Sequence, residues 1–335
     1  MATITRSTEQ NEVLESCRRV AARSEHVRIN ESKLDELVEI YSKEQLTLPR
    51  WQDPVFIKGA GMELADFLFL GNAINFGYIH HDTGQKYTKN YAGIDWAGAF
   101  GMWASLKGAF ERDNPFIEPI VMADITAKDL AEIFDGRIPM PMLEERARIL
   151  REIGCAMLDR DYIGFEDFIT DHGERIFGQS GLLNQLVEVF PAAFGDSQQY
   201  RGSIVVFNKK AQLAIAMWYE RNLAEGQGLF TESDIAGLTV FADYELPRAL
   251  RLRRVLEYTE PLAKAIDSGI PLGKDSEEEV ELRANTVWAA ELLRRGISKN
   301  GADGVTALHL DYRLWQDGRK DRTSRPHLTM GTTSY

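Results

Sequence analysis

The sequence predicts a mainly α-helical protein with a few short strands, organised as one domain over residues 1–335. Apolar residues recur at helical spacing in several segments, capping residues stand where helices would begin, and β-branched runs are few. The 335 residues are 44% hydrophobic and 27% charged, as in other globular proteins. Neither internal repeats nor Pro/Gly/Ser-rich linkers interrupt the chain, which favours a single continuous domain.

Two segments of the first half of the chain predict buried helices. Residues 91–110 are rich in small and aromatic side chains and predict a helix with an irregular, glycine-rich lead-in. In residues 142–158 the apolar side chains fall on one helical face, because they are spaced by three or four positions. These apolar residues are Leu143, Ala147, Leu150, Ile153 and Met157.

The second half contains one candidate strand and several helix starts. Residues 201–210 carry a β-branched run, which predicts either a strand or the buried start of the helix that follows. Thr231 has the position of a helix-capping residue. Ser276 lies three residues before Glu279 and predicts a capping box, with Gly296 as the stop signal of that helix.

The charge balance narrows the class of ligand. The formal net charge is −12, whereas proteins that grip duplex nucleic acid usually carry a basic footprint. We therefore expect no large nucleic-acid partner, although a small phosphorylated ligand needs only one or two local cations. Residues 1–16 lack the apolar core of a secretory signal and no run reaches the ~18 apolar residues of a membrane span, so we expect a cytoplasmic protein without a membrane segment.

The two cysteines, Cys17 and Cys155, form neither a disulfide framework nor a zinc-site spacing. Both are expected to be small buried hydrophobes. His80 and His81 are adjacent, have no cysteine or glutamate at ligand spacing, and are expected in a surface loop. We therefore predict no metal site.

Asp243 is a candidate for chemistry, although the residues alone favour a structural role. It lies between Phe241 and Tyr244 in the segment FADYELP, residues 241–247. One interpretation is a capping aspartate for a helix that starts near Pro247. The other is that an apolar wall leaves the carboxylate poorly solvated, so that it acts strongly on a developing positive charge.

Lys209 is a candidate phosphate ligand. It follows the strand-like run and precedes an alanine-rich helix, and a lysine at a helix N-terminus faces the unfavourable end of the dipole unless an anion is bound there. A solvated surface lysine is the alternative. The residues alone favour that alternative.

Two further segments carry candidate binding residues. In LDYRLWQ, residues 310–316, Asp311 and Trp315 share a helical face, so a purine-like ring could stack on Trp315 while Asp311 accepts hydrogen bonds from its N–H groups. The alternative is a C-terminal helix that packs through its aromatic residues. In the other segment, Asn75 and Phe76 follow a buried apolar run.

Several segments together resemble the queuosine-salvage family of queuosine 5′-phosphate N-glycosylase/hydrolases. The resemblance covers roughly residues 60 to 316, and its most specific parts are the FADY-x-LP and KxAQ segments. The matching segments are INFGY, IPMPMLEERARILREIG, LVEVFPAAF, FNKKAQL, LTVFADYELPRAL, LEYTEPL, EEEVELRANTVWAAELL and LDYRLW.

The resemblance implies a helical fold similar to that of DNA glycosylases, release of the base queuine from queuosine 5′-monophosphate, and no cofactor. It implies Asp243 as the catalytic aspartate, in the FADY segment that also contains Tyr244. It implies Lys209 as the motif lysine and Phe241 as the aromatic residue beside the catalytic carboxylate. Asp311 and Tyr312 are implied as base-recognition residues.

The chain departs from the family pattern in several places. The segment between KKAQ and FADY is about two residues longer, residues 46–51 lack the family's histidine, and Lys210 replaces an arginine. Asn72 and Met217 stand where the pattern has aspartates, and Asn208 replaces a tyrosine before the motif lysine. These changes leave two alternatives open beside queuosine 5′-monophosphate hydrolysis. The chain could be an N-glycosidase for a different modified nucleotide or nucleoside, or it could be a non-catalytic binding protein for a modified base.

Overall fold

The computed structural model describes residues 11–59, 61–112, 114–228 and 230–335. Most of these residues are helical and the strands are short, which confirms the predicted fold class. Within these ranges no helix combines the length and the apolar character needed to cross a membrane. The first ten residues, which belong to the segment predicted to lack a secretory signal, lie outside the described residues.

The helices follow one another in chain order as α1 Glu12–Ala21, α2 Glu31–Tyr41, α3 Ala65–Ala73, α4 Ala99–Phe110, α5 Pro119–Met122, α6 Ala127–Ile133, α7 Leu143–Leu158, α8 Phe165–His172, α9 Leu182–Val189, α10 Pro191–Phe194, α11 Lys209–Ala224, α12 Glu232–Ala236, α13 Glu245–Leu252, α14 Glu260–Asp267, α15 Glu277–Lys299 and α16 Ala307–Lys320. Short 3₁₀ helices occupy Gly61–Leu64 and Pro115–Ile117. The strands are β1 Val27–Ile29, β2 Thr88–Tyr91, β3 Ile94–Ala97, β4 Ser197–Tyr200, β5 Ser203–Val206, β6 Leu256–Tyr258, β7 Leu272–Gly273 and β8 Thr329–Met330.

The chain folds into two compact units that are discontinuous in sequence. The described part of the first unit comprises residues 11–49, 196–209 and 232–331, and that of the second comprises residues 50–59, 61–112, 114–195, 210–228, 230–231 and 332–335. The boundary falls inside α11, since Lys209 belongs to the first unit and Lys210 to the second. The single-domain organisation stays a prediction from the sequence.

Helix α15 is the centre of the first unit. It packs against α1, α2, α13 and α16, and buried residues surround nearly its whole circumference. Its buried positions include charged residues, among them Glu279, Glu281 and Arg283, beside the apolar ones. Its start is set by Ser276, whose hydroxyl accepts a hydrogen bond from the Glu279 backbone N–H at 3.3 Å, and by the acidic first turn that complements the helix dipole.

The prediction that α15 stops at Gly296 is wrong, because the helix continues to Lys299. A Cβ atom at position 296 would lie 2.5 Å from Val38 Cγ2. The glycine therefore permits α15 and α2 to approach closely, and it does not end the helix. Sequence analysis could not predict this role, because Val38 and Gly296 are far apart in the sequence.

Three small two-stranded sheets belong to the first unit: β1 with β6 and β4 with β5, both antiparallel, and β7 with β8, which is parallel. The hairpin of β4 and β5 pairs Ser197 with Val206 at its open end. Residues 201–210 therefore contain a strand, as one interpretation predicted, and the alternative of a buried helix start is wrong. Helix α12 begins directly after Thr231, as predicted.

The second unit contains α7, which confirms the helix predicted for residues 142–158. The lead-in of α4 is not irregular, because β2 and β3 form an antiparallel hairpin from Thr88 to Ala97.

Cys17 is buried in the first unit, whereas Cys155 is exposed. The prediction for Cys155 is wrong because Ile153 and Met157 take the buried face of α7 and direct Cys155 outwards.

We predict that Gly71→Ala destabilises the protein by roughly 1–3 kcal/mol, as overpacking does in closely packed helices. The added Cβ would lie 2.0 Å from the Trp103 ring, and neither α3 nor α4 can yield without moving core residues. Urea unfolding at equilibrium measures the loss.

The matched control is Gly108→Ala, which is also a helical glycine of this unit. There the added Cβ meets only the flexible end of Arg112, at 3.2 Å. This variant should be as stable as the wild type or more stable, by up to about 1 kcal/mol, because alanine favours helix. Equal stabilities of the two variants would contradict the packing argument.

Candidate active site

Asp243 lies just before α13, and one of its carboxylate oxygens caps that helix. Oδ1 accepts hydrogen bonds from the backbone N–H groups of Glu245 at 2.7 Å and Leu246 at 3.2 Å. The capping interpretation is thus confirmed, although the helix starts at Glu245 and not near Pro247. Within the described part of the chain, Oδ2 of Asp243 has no hydrogen-bond partner, so this oxygen is available for chemistry.

The surroundings of Asp243 favour its neutral form. Burial raises the pKa of the Asp243 carboxyl from 3.8 to about 6, and the nearby Glu245 carboxylate adds to the rise in pKa, while the Lys209 ammonium opposes it. A carboxylate with a raised pKa is still largely ionised at neutral pH, yet it is more basic than a solvated one. Asp243 therefore has the properties of a general base or of an electrostatic stabiliser.

Lys209 is the first residue of α11 and its side chain is only 6% exposed. The alternative of a solvated surface lysine is therefore wrong. Burial lowers the pKa of the ammonium, and the carboxyl groups of Asp243 and Asp311 act in the opposite direction. Across the described residues its Nζ makes no ion pair, so its N–H donors are available to a negatively charged ligand.

Asp311 is tied to Asp243 through the backbone of one residue. Asp311 Oδ1 accepts a hydrogen bond from the Phe241 N–H at 2.7 Å, and the Phe241 carbonyl accepts one from the Asp243 N–H at 2.6 Å. Burial, together with the Asp243 carboxyl, raises the pKa of Asp311 well above its usual range. The structure therefore brings together two carboxyl groups and one ammonium group from three separate parts of the chain.

The aromatic candidates of α16 follow Asp311 on the same helix: Tyr312 is the next residue and Trp315 lies one turn further. The rings of Tyr312 and Trp315 stack with centroids 6.2 Å apart and 21° between their planes. The Arg319 guanidinium carbon lies 4.6 Å from the Trp315 ring centroid. The predicted C-terminal helix is confirmed, and its aromatic residues pack on one another. Tyr244 is half-buried at the N-terminus of α13.

Asn75 and Phe76 belong to the second unit, unlike the other candidate residues. The fully buried Phe76 ring is flanked by two cations, with Arg146 Cζ 4.4 Å and Lys210 Nζ 5.0 Å from its centroid. Cations at such distances are attracted to the face of an aromatic ring. The position of Phe76 is therefore fixed by its surroundings, and its role in binding stays a prediction.

Asn75 is part of a buried polar network. Its Nδ2 donates to Asn72 Oδ1 at 3.1 Å, and its Oδ1 accepts from the Tyr78 hydroxyl at 2.7 Å. Asn72 Nδ2 in turn contacts Met217 Sδ at 3.3 Å. Two of the residues at which the chain departs from the family pattern therefore contact each other, and both are buried.

Sequence reasoning missed Arg283 and Asp196, which form a fully buried ion pair beside the candidate residues. The Arg283 guanidinium donates to the two Asp196 carboxylate oxygens at 2.9 and 2.6 Å. An arginine among the buried positions of α15 was a usable signal, since arginine is rarely fully buried without a partner. Asp196 lies 87 residues away in sequence, and its own neighbours do not mark it.

His327 is a second buried titratable group near Arg283. Burial and the positive charge of Arg283 lower the pKa of its imidazole to about 3, so this histidine is neutral at physiological pH.

Among the described residues, His26, Glu277 and Glu281 place possible metal-ligand atoms within 4.8 Å of one another. These carboxylates already have protein partners, however. Glu277 accepts hydrogen bonds from Arg201 at 2.7 and 3.0 Å. Glu281 accepts from the backbone N–H groups of residues 25–27 at 3.0, 2.6 and 3.0 Å. These hydrogen bonds account for the positions of the two carboxylates. The absence of a metal site stays a prediction.

A sequence profile described as queuosine salvage protein matches residues 56–334. The chain belongs to the queuosine salvage protein family. The match confirms the resemblance and extends slightly beyond both ends of the region expected from the motifs. The likeness of the fold to DNA glycosylases stays a prediction.

Individual members of the queuosine salvage protein family resemble the chain over most of its length. It is 32% identical over 323 residues to the queuosine 5′-phosphate N-glycosylase/hydrolase of Sphaerobacter thermophilus, with 96% of this chain and 95% of that protein covered. It is 29% identical to the protein of the same name from Mus musculus, with 79% of each covered. With the Schizosaccharomyces pombe protein the identity is 25% and the coverage of each is 90%.

We predict that Asp243 titrates near pH 6 in the folded protein and that Lys209→Met moves its midpoint to higher pH. The ammonium stabilises the ionised carboxylate, so its loss favours the protonated form. Carboxyl-carbon NMR of protein labelled at aspartate would follow the titration, with Asp243→Asn to assign the signal. Lys209→Arg keeps the positive charge and serves as the control. A wild-type midpoint near 4 would contradict the argument.

Proposed function

We propose that this chain is an N-glycosyl hydrolase that cleaves the N-glycosidic bond of queuosine 5′-monophosphate and releases queuine. Relatives that carry this activity in their names come from bacteria and from eukaryotes. The observation that carries the proposal is the grouping of Asp243, Asp311 and Lys209 within one unit. A carboxylate of raised basicity beside a buried cation is suited to the cleavage of a phosphorylated glycoside.

Asp243 is the catalytic residue of the proposed reaction. Glycoside hydrolysis passes through a sugar with oxocarbenium character. The C1′–N bond breaks with its electron pair leaving on the base, and a water oxygen forms the new bond to C1′. Oδ2 of Asp243 either stabilises the sugar cation or accepts the proton of the attacking water. Both roles require the ionised carboxylate.

The leaving base requires its own contacts. Queuine is a 7-deazaguanine with carbon in place of N7, so protonation at that position cannot assist its departure. In the proposed complex Asp311 and Tyr312 orient the base, and Phe241, Tyr244 and Trp315 supply aromatic faces.

Lys209 holds the 5′-phosphate in the proposed complex, as a point charge that balances the anion. Asn75 and Phe76 are proposed as further substrate contacts.

The proposed reaction requires no metal ion and no organic cofactor. We also propose a cytoplasmic location and no large nucleic-acid partner, in keeping with the net charge of −12.

We expect the purified protein to release queuine from queuosine 5′-monophosphate, as measured by mass spectrometry of the products. Asp243→Asn should reduce kcat by about 10²–10⁴-fold, the range usual for loss of a general base, because the amide keeps the capping oxygen but cannot take a proton. The wild-type kcat should fall as the pH falls through about 6, because the raised pKa of Asp243 lies there and protonation removes the base.

The matched control is Asp267→Asn, which alters a largely exposed carboxylate that is paired with Arg251. Wild-type turnover in Asp243→Asn would overturn the assigned role. Absence of queuine release by the folded wild type would overturn the proposed substrate.

A second candidate is an N-glycosidase for a different modified nucleotide. It is favoured by the buried contact between Asn72 and Met217, because the family pattern has aspartates at both positions. A panel of modified nucleotides, assayed for base release, distinguishes it from the first candidate. Tight binding of a base without turnover of any nucleotide would instead indicate a binding protein.

We further predict that removal of the 5′-phosphate from the substrate lowers kcat/KM, and that Lys209→Met abolishes this preference. The buried ammonium loses its anionic partner in the first case and is absent in the second. Steady-state kinetics on queuosine and on its 5′-monophosphate provide the comparison, because the ratio of the two kcat/KM values within one protein is independent of the ionisation of Asp243. Lys264→Met removes an exposed lysine of α14 and should leave the preference intact. An undiminished preference in Lys209→Met would place the phosphate elsewhere.

A further inference from the structure

A fully buried ion pair lies between the two segments that carry Lys209 and Asp243. Arg283 and Asp196 are 0% and 1% exposed in their side chains, and their closest nitrogen and oxygen atoms are 2.6 Å apart. The Arg283 guanidinium also lies 3.9 Å from the centroid of the Phe207 ring, over its face. Removing two charges from water is unfavourable, and well-packed apolar residues often replace such pairs without loss of stability. The pair therefore calls for an explanation beyond stability.

Asp196 holds the turn that leads into Lys209. Its carboxylate Oδ2 accepts the Lys209 backbone N–H at 3.2 Å. Its backbone carbonyl accepts the N–H groups of Phe207 and Asn208 at 2.8 and 3.1 Å. Asn208 has a φ of 48°, a left-handed conformation that the surrounding contacts must maintain. The start of α11 is therefore fixed by one aspartate.

Arg283 reaches the other segment. Its Nε donates to the carbonyl oxygen of Ala242 at 3.4 Å, and Ala242 is the residue directly before Asp243. The planar guanidinium presents its donors in a fixed geometry. One rigid group therefore contacts Asp196 on one side and the backbone that carries Asp243 on the other.

We infer that Arg283 is a positioning residue which, through Asp196 and Ala242, sets the separation between the Lys209 ammonium and the Asp243 carboxylate. The inference deepens the proposed function and rests on it for its catalytic consequence. The effect on turnover is large when catalysis depends on the distance between two groups, since a misplacement of about 1 Å can reduce turnover by about 100-fold. A purely structural pair would instead affect only the fraction of folded protein.

The test is the double variant Asp196→Leu/Arg283→Met, which removes one charge of each sign and fills the space with apolar groups. Glu279, whose carboxylate lies 3.9 Å from Arg283, keeps the hydrogen bond that it accepts from Gln198 at 2.6 Å. We expect a folded protein, verified by urea unfolding. Its Asp243 carboxyl should titrate at higher pH than in the wild type, as in Lys209→Met, because the ammonium is no longer held nearby. Its kcat on queuosine 5′-monophosphate should fall by about 100-fold with KM changed far less.

The matched control is Glu281→Gln, which alters another fully buried ionisable residue of α15, one that binds the backbone of residues 25–27. It should lose stability and keep the wild-type kcat and Asp243 titration. An unshifted Asp243 midpoint in the double variant would overturn the positioning role whatever its activity. A shifted midpoint in a protein whose wild type releases no queuine would leave the positioning role standing and overturn the proposed function.

Discussion

Arg283 carries a full positive charge into the buried surface of α15, and Asp196 is the partner that makes this placement tolerable. Around this pair the chain brings together segments that are distant in sequence: the turn before α11, the loop before α13 and the middle of α15. Ordering segments that are distant in sequence costs conformational entropy. A buried charged group that needs several hydrogen-bond partners fixes the segments that carry those partners at the same time. The first unit thus depends on buried polar contacts, of which the pair of Arg283 and Asp196 joins the most distant segments.

The same burial acts in opposite directions on the groups around this pair. It raises the pKa of the Asp243 carboxyl and lowers the pKa of the Lys209 ammonium. Each of these two groups in turn stabilises the charged form of the other. Their grouping is best understood as one electrostatic unit with Asp311, in which a change at any member alters the others.

Much of the fold could be predicted from local sequence. The spacing of apolar residues indicated α7, and Ser276 marked the start of α15, because both depend on neighbours three or four positions away. The errors share a cause in tertiary contacts. Gly296 serves the packing against Val38, and Cys155 lies on the outward face of its helix. Neither fact can be read from the adjacent residues.

The candidate site shows the same division. Asp243 and Lys209 both required the family motif, since the local residues favoured a helix-capping aspartate and a surface lysine. Both residues of the ion pair were missed. Arg283 stood out among the buried positions of its helix, but its partner Asp196 lies 87 positions away, and such a distance leaves no periodic trace. Side chains that react can be marked by motifs, and the residues that hold them are found only in three dimensions.

The hydrogen bonds that α13 donates to Asp243 have one more consequence. With Oδ1 bound by two backbone N–H groups, the carboxylate has lost its rotational freedom before any ligand arrives. Ordering a reactive group is ordinarily an entropic cost of reaching the transition state. Here the carboxylate is already ordered in the folded protein. The start of α13 therefore holds Oδ2 of Asp243 in a preorganised position.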